Sequence, residues 1–342
     1  MKVFYSDAHA DHAPRTFLKA GQPAANPESP ARAIAIAEAL VAGGYELRAP
    51  VDRGLEPGLS VHDAGLVHFL QLGYESWMRL EGAGPEIVPN VHPGRRFRHR
   101  PKSIIGHAGF YMQDTACPIG PGTWKASVAA THCAVDAALA VMGGDKCAYA
   151  LCRPPGHHAT RDQAGGFCYL NNAAIAAQAL RARFGRVAIL DIDVHHGNGT
   201  QDIFYGRSDV FVVSTHSHPD AYYPFFSGTP SETGEGEGLG FNLNVTYPFA
   251  SGDAQVAQAL TQALAAVRDF APQALVLSLG LDAHAKDPHG GHHVSTNEFL
   301  RMAQEIAGLD LPTVLVQEGG YLHDELGSVV HGMLRRFEGK LS

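Results

Sequence analysis

From residue 146 onward the chain alternates short apolar runs with clusters of polar residues and glycine. CAYALC, RVAIL, VFVVS, ALVLSL and TVLVQ each stop abruptly, and alanine-rich helical stretches separate most of them. A continuous apolar run bounded in this way predicts a strand buried on both faces, and the alternation with helices predicts βα units around a parallel sheet. Upstream, residues 31–43 (ARAIAIAEALVAG) and 123–142 (TWKASVAATHCAVDAALAVM) predict helices, with a less regular region between them. Residues 81–109 carry several prolines and a basic run without apolar periodicity, which predicts a long loop insertion. GEGEGLG at 234–240 is not set between a strand and the start of a helix, so it reads as a flexible loop ahead of the strand FNLNV and not as a phosphate cradle.

A length of 342 residues fits one large or two ordinary domains, and 45% hydrophobic residues can bury a sizeable core. Charged residues make up 18% of the chain, below the roughly 25% of an average soluble protein. With a net charge of −8, a broad nucleic-acid footprint is not expected. Five cysteines without CxxC spacing argue against a disulfide scaffold and a thiolate zinc site, so reduced, partly buried thiols are expected. The opening MKVFYSDAHADH turns polar too early for a secretory leader, and no stretch reaches the roughly 18 apolar residues of a membrane span. A cytoplasmic protein is expected, with neither membrane nor nucleic acid as partner. The unusual totals are 20 histidines and 38 glycines.

Ligands bind outside the carboxyl ends of parallel strands, and that is where the polar residues gather. CAYALC is followed by RPPGHHATRDQAGGFCYLNN, RVAIL by DIDVHHGNGTQ, VFVVS by THSHPDAYYP, ALVLSLG by LDAHAKDP, and TVLVQ by EGGY. Asp193, His195 and Asp282 are two carboxylates and an imidazole at such ends, a set suited to a divalent metal with open positions, zinc or ferrous iron. Period-two alternation places Asp191, Asp193 and His195 on one side of an extended backbone. Two of these could reach a metal, leaving Asp191 to accept a hydrogen bond from a histidine and fix its tautomer.

At these residues the chain resembles the zinc-dependent histone deacetylase superfamily, and within it the bacterial acetylpolyamine amidohydrolases. RPPGHHA, GGFCYLNNAAIAA, DIDVHHGNGTQDIF, SLGLDAHAKDP and QEGGY match the family pattern in the same order, within a likeness running from the first residues to about Leu334. The resemblance implies a single arginase-like α/β domain over 1–342, a mostly parallel sheet of eight strands flanked by helices, and an active site at the C-terminal strand ends. It implies metal binding by Asp193, His195 and Asp282, an acid–base pair in His157 and His158, and a Tyr321 hydroxyl facing the scissile carbonyl. Asp191 would orient one histidine. The residue matching the partner of the other is Asn198, an amide where some branches have aspartate, so unequal histidine pKa values are expected.

The resemblance further implies a tunnel shaped by Gly166, Phe167 and Tyr223, and a turn at Gly319 and Gly320 that places Tyr321. It implies potassium held by Asp191, Asp193, His195, Ser214 and Thr215, with a second site at Phe204, Arg207, Val210 and Phe241. The insertion at 81–109, with Arg95, Arg96, Arg98, Arg100, Lys102, His92 and His99, would serve a homodimer. Where the polyamine branch places acids at the tunnel mouth, this chain has Ile105 and Ala116, and Asp114 is the nearest acid. The reaction implied is hydrolysis of an N-acetyl amide, with acetylpolyamines as leading substrates.

Acetyl-lysine peptides or other small acyl amides are alternative substrates. A non-catalytic acyl-amine binding protein is the alternative of another class, and the complete acid–base set speaks against it. Three features read as plain structure. DAHAD at 7–11 resembles the metal motif of arginases but follows the first strand, so His9 and Asp11 are expected solvated or near the rim. His292–His293 and His196 are expected as surface or cap histidines.

Overall fold

The computed structural model describes residues 1–94 and 99–339. Ten strands occur among them: β1 (Lys2–Phe4), β2 (Thr16–Lys19), β3 (Gln22–Ala25), β4 (Leu47–Arg48), β5 (Cys147–Ala150), β6 (Val187–Asp191), β7 (Val210–Ser217), β8 (Asn242–Tyr247), β9 (Ala274–Leu279) and β10 (Thr313–Gln317). Eight form one sheet in the order β4-β1-β5-β10-β9-β6-β7-β8, every neighbouring pair parallel, while β2 and β3 make a separate antiparallel hairpin. The expected eight-stranded parallel sheet with helices on both faces is therefore what the chain forms.

The unbroken apolar runs are explained by burial on both faces. Ala148, Ile189, Val276, Val314 and Val316 pack toward the helices Ala64–Trp77, Thr123–Met142 and Asn172–Leu180. Their alternating neighbours Tyr149, Leu190, Leu275, Leu277 and Leu315 pack toward Pro30–Ala42, Asp253–Phe270, Thr296–Ala307 and Leu326–Phe337. The register matters for function. Asp191 at the end of β6 pairs with Ser278 of β9, and Gln317 at the end of β10 pairs with Leu279 of β9. The loops after β6, β9 and β10 thus leave three adjacent strands at one edge, and the loop after β5 leaves the next strand over.

Several local expectations need correction. The less regular region contains the helix Ala64–Trp77, started by the Asp63 carboxylate accepting from Gly65 N. The described start of the insertion at 81–109 is irregular, with Ile87 bridging Ile119, but from Ile104 it becomes the helix Ile104–Tyr111, capped by Ser103 Oγ accepting from Gly106 N. Apolar Ala108 and Tyr111 bury one side of that helix, a signal that the preceding basic run obscured. Of that run, Arg95, Arg96 and Arg98 lie outside the described residues. His9 is buried, its Nε2 bonded to the Tyr5 hydroxyl, whereas Asp11 is exposed and paired with Lys125. GEGEGLG forms a short 3₁₀ turn at Gly236–Gly238 that leads into β8. All five cysteines are buried and unpaired with one another. No helix among the described residues is long and apolar enough to cross a membrane.

Candidate active site

The chain after β6 turns inward at once. Asp191 Oδ1 accepts from Asp193 N and Asp193 Oδ1 from His195 N, so each carboxylate fixes the backbone two residues on. His195 Nδ1 lies 3.0 Å from Asp193 Oδ1 and 3.0 Å from Oδ2 of Asp282, which follows β9. All three residues are buried, their donor atoms lie within 4.8 Å of one another, and Asp282 Oδ2 accepts no hydrogen bond. Burial opposes a charge on His195, but Asp282 and Asp193 outweigh it and push its pKa up to about 9. Two buried carboxylates around one imidazole, with an oxygen left over, suit a divalent cation. A Cβ on Gly319 would stand 2.3 Å from Asp282 Oδ2 and 2.4 Å from Asp193 Oδ2, so only glycine leaves the pair this close to the strand end.

Two histidines from the loop after β5 stand beside this set, their rings 4.0 Å apart. His157 Nδ1 lies 2.9 Å from Asp191 Oδ2, and His158 Nδ1 lies 2.7 Å from Asn198 Oδ1. The expected inequality follows. Burial opposes protonation of both, but Asp193 and Asp191 carry His157 up to about 10, while burial and the neighbouring His157 hold His158 well below the usual histidine range. Glu318 Oε2 accepts from Gly156 N and His157 N and so anchors the histidine loop to the end of β10.

Tyr321 follows at the EGGY turn, where Gly320 has φ +106°, a conformation that favours glycine. The turn is clamped from both sides: Arg32 donates to the carbonyls of Gly320 and Glu318, and Asp287 Oδ2 accepts from Tyr321 N. Burial, then Asp282, raises the Tyr321 hydroxyl well above its ordinary pKa, so it keeps its proton. Arg32 is itself held by Glu28, which also pairs with Arg153 at 2.8 Å and lies 3.4 Å from His12. Burial works to raise Glu28, but Arg153, His12 and Arg32 outweigh it and keep the carboxylate charged.

These groups line a cavity of about 540 Å³ together with Gly166, Phe167, Tyr223 and the hairpin residues Phe17, Leu18 and Lys19. Phe167 meets Tyr321 and Phe17 edge-on, and the Tyr223 ring lies 4.9 Å from that of His158. Gly166 combines φ +54° with a Cβ position only 2.4 Å from the His158 ring, so a side chain there is excluded twice over. Asp114 also lines the cavity, yet its oxygens already accept from Ala116 N, Gly166 N and the Tyr223 hydroxyl. The acid read as a candidate at the mouth thus lines the cavity and also braces its wall.

Of the residues matched to potassium sites, a few are in local contact. Thr215 Oγ1 donates to the Asp191 carbonyl, with Ser214 adjacent, and Phe204 O accepts from Arg207 N while Phe241 O accepts from Val212 N beside Val210. His196 and His292 are not surface histidines. His196 is buried between Gln201 and Ser227, and His292 packs edge-on against Tyr222, Tyr247 and Phe249. Sequence reasoning missed Gln113, Arg32, Glu28, Tyr222 and His289. Tyr222 stacks on His195 at 4.9 Å, and His289 lies 5.0 Å from Tyr321. His289 directly follows the singled-out LDAHAKDP and Tyr222 lies within THSHPDAYYP, so both had a usable signal; Gln113 becomes visible only once the chain is folded.

A parallel sheet carrying a carboxylate–imidazole set, paired histidines and a tyrosine at its C-terminal edge defines an amidohydrolase of the deacetylase class on an arginase-like fold. The chain belongs to the histone deacetylase family, whose domain it matches over residues 26–337. It is 45% identical over 322 residues to an acetylpolyamine amidohydrolase of Burkholderia pseudomallei (strain 1710b), covering 94% of each chain. To acetylpolyamine amidohydrolase 2 of Pseudomonas aeruginosa it is 43% identical over 344 residues, covering 99% of each. A crystal structure of an acetylpolyamine aminohydrolase from Burkholderia pseudomallei superposes with a TM-score of 0.96 at 42% identity, covering 99% of each chain.

Replacing Gly319 by alanine is expected to lower the bound divalent metal per purified chain at least tenfold, read by metal analysis, and to lower the melting temperature as well, because the added Cβ has no room beside two buried carboxylates. Replacing Glu28 by glutamine leaves two buried guanidiniums without a counter-charge and is expected to cost about 3–5 kcal/mol in urea unfolding.

Proposed function

We propose that the chain is a metal-dependent amidohydrolase that removes the acetyl group from small N-acetylated amines, acetylpolyamines among them. The observation that supports this is that His157, His158 and Tyr321 line the same largely apolar cavity as the three-donor set of Asp193, His195 and Asp282. Asp193, His195 and Asp282 would hold the ion, zinc being the metal typical of the family and ferrous iron an alternative. When bound there, it supplies polarisation of the acetyl carbonyl and a more acidic water.

The chain's own residues supply the proton chemistry. His158, neutral and bonded through Nδ1, has Nε2 free to take the proton of the attacking water and to return it to the leaving amine. His157 is held charged by Asp191 and contributes a fixed positive charge beside the reacting carbonyl. The Tyr321 hydroxyl donates to the developing oxyanion. Phe167, Tyr223 and Phe17 exclude water from the alkyl part of the substrate. Potassium at the carbonyls around Asp191 and Thr215, and at the second set around Phe204 and Phe241, belongs to the same reading, as do homodimer formation and a cytoplasmic location.

Tyr321→Phe is expected to lower kcat on acetylputrescine by about 10²–10³ with bound metal unchanged, the size of losing one oxyanion donor. Failure of the purified, metal-loaded enzyme to hydrolyse acetylputrescine, acetylcadaverine, acetylspermidine, a neutral N-alkyl acetamide or an acetyl-lysine peptide overturns the proposal. Because Asp114 is the acid that lines the cavity near its mouth and three of its roughly four acceptor sites are used within the wall, the kcat/KM of acetylputrescine is expected to exceed that of the neutral amide of equal length by less than about tenfold. A peptide hydrolysed faster than every small amine moves the substrate to acetylated protein.

A further inference from the structure

A carboxylate partner orients a histidine whichever way it is rotated, because both of its ends accept. Asp191 serves His157 in this manner. An amide has one accepting and one donating end, so Asn198 can present either oxygen or NH₂ to His158 Nδ1. The two choices put the proton on opposite nitrogens of the ring. With oxygen toward Nδ1, the ring carries its proton there and Nε2 is basic; with NH₂ toward Nδ1, the proton moves to Nε2 and the ring cannot accept. Something else must decide between them.

The decision starts from main-chain carbonyls, which can only accept. Gln113 sets one end of its amide 2.9 Å from the carbonyl oxygen of His158 and 3.5 Å from that of Gln163, so this end is the NH₂. Its oxygen then faces Asn198 at 3.1 Å, which must offer its own NH₂ there. The remaining end of Asn198, its oxygen, lies 2.7 Å from His158 Nδ1. The three hydrogen bonds close a ring from the backbone of His158 back to its side chain, and each orientation dictates the next. Gln113 is itself fixed by its N–H donating to the Ala164 carbonyl at 2.7 Å. Gly165 leaves it room, since a Cβ there would stand 3.1 Å from three atoms of the Gln113 side chain.

We infer that Gln113 is a positioning residue for the hydrolysis: it locks the Asn198 amide in the one orientation that keeps His158 protonated on Nδ1 and basic on Nε2. The inference rests on the proposed role of His158 as the proton acceptor. It assigns Gln113 no contact with the reacting atoms.

The test is a double-mutant cycle with a tautomer readout. Gln113→Met keeps the length of the side chain and removes its three side-chain hydrogen bonds, freeing Asn198 to turn. It is expected to lower kcat roughly 10- to 100-fold, a large part of what a general base contributes, while KM moves less than about threefold. In an Asn198→Asp background the carboxylate has no wrong end, so the same Gln113→Met change is expected to cost less than about threefold relative to that background. A purely structural role for Gln113 predicts equal losses in both backgrounds, and that outcome overturns the inference. Independently of turnover, ¹⁵N shifts of His158 in histidine-labelled protein are expected to report a proton on Nδ1 in the unmodified chain and a population with the proton on Nε2 in Gln113→Met. A proton on Nε2 in the unmodified chain also overturns it. Should the substrate panel give no hydrolysis, the proposed reaction falls, while the shifts alone still decide whether Gln113 sets the tautomer.

Discussion

Everything at the working edge of this sheet depends on burying negative charge. Glu28, Asp191, Asp193, Asp282 and Glu318 are all at most 1% exposed and crowd around the ends of adjacent parallel strands. In a low-dielectric interior such a cluster is untenable unless each charge has a partner. Glu28 has two guanidiniums, Asp191 has His157, and Asp193 and Asp282 share His195 with an oxygen to spare. Glu318, pushed up to about 7 by burial against the pull of His157, takes two main-chain N–H groups instead. The same contacts that make these carboxylates tolerable also hold Tyr321 and the loop of His157 and His158 in place. Stability and chemistry are therefore not separable here: the residues that keep the charges tolerable are the residues that aim the site.

The two histidines show how one backbone can prepare chemically different groups side by side. They are consecutive in sequence, both buried and in ring contact, yet one faces a carboxylate and the other an amide. The carboxylates on one side favour the charged form of His157, while burial and the neighbouring His157 disfavour it for His158, which has an amide and no carboxylate on its Nδ1. The choice of amide has a geometric cost, since an amide must be oriented before it can orient anything else.

Much of this was legible in the chain because strand ends in a parallel sheet converge by construction. Apolar runs marked β5, β6, β7, β9 and β10, and the residues following them included Asp193, His195, Asp282, His157, His158 and Tyr321, which the fold brings to one cavity. What stayed hidden depends on long-range contact. Arg32 lies on a helix at the other end of the chain from the turn it clamps, and Gln113 sits in a loop whose pattern gives no hint of Asn198. Histidine pairs misled in the other direction. His292 and His196 are spent inside the wall, where aromatic edges and amides surround them, and a local HH pattern carries no sign of which fate it meets. The helix Ile104–Tyr111 was masked by the basic residues and prolines before it, because periodicity is read over a window longer than eight residues.

The β2–β3 hairpin stands outside the main sheet and pairs only with itself. Of its two strands only Phe17 is buried, and Phe17 belongs with Phe167 and Tyr321 to a small apolar group apart from both major cores. Its neighbours Leu18 and Lys19 nonetheless form part of the cavity lip. Part of the cavity wall is thus carried by a piece of chain outside the main sheet, while Asp193, His195, Asp282 and Tyr321 follow strands of that sheet. The lip can therefore change through exchange of a few hairpin residues while the side chains at the strand ends stay untouched, a modular division within one continuous domain.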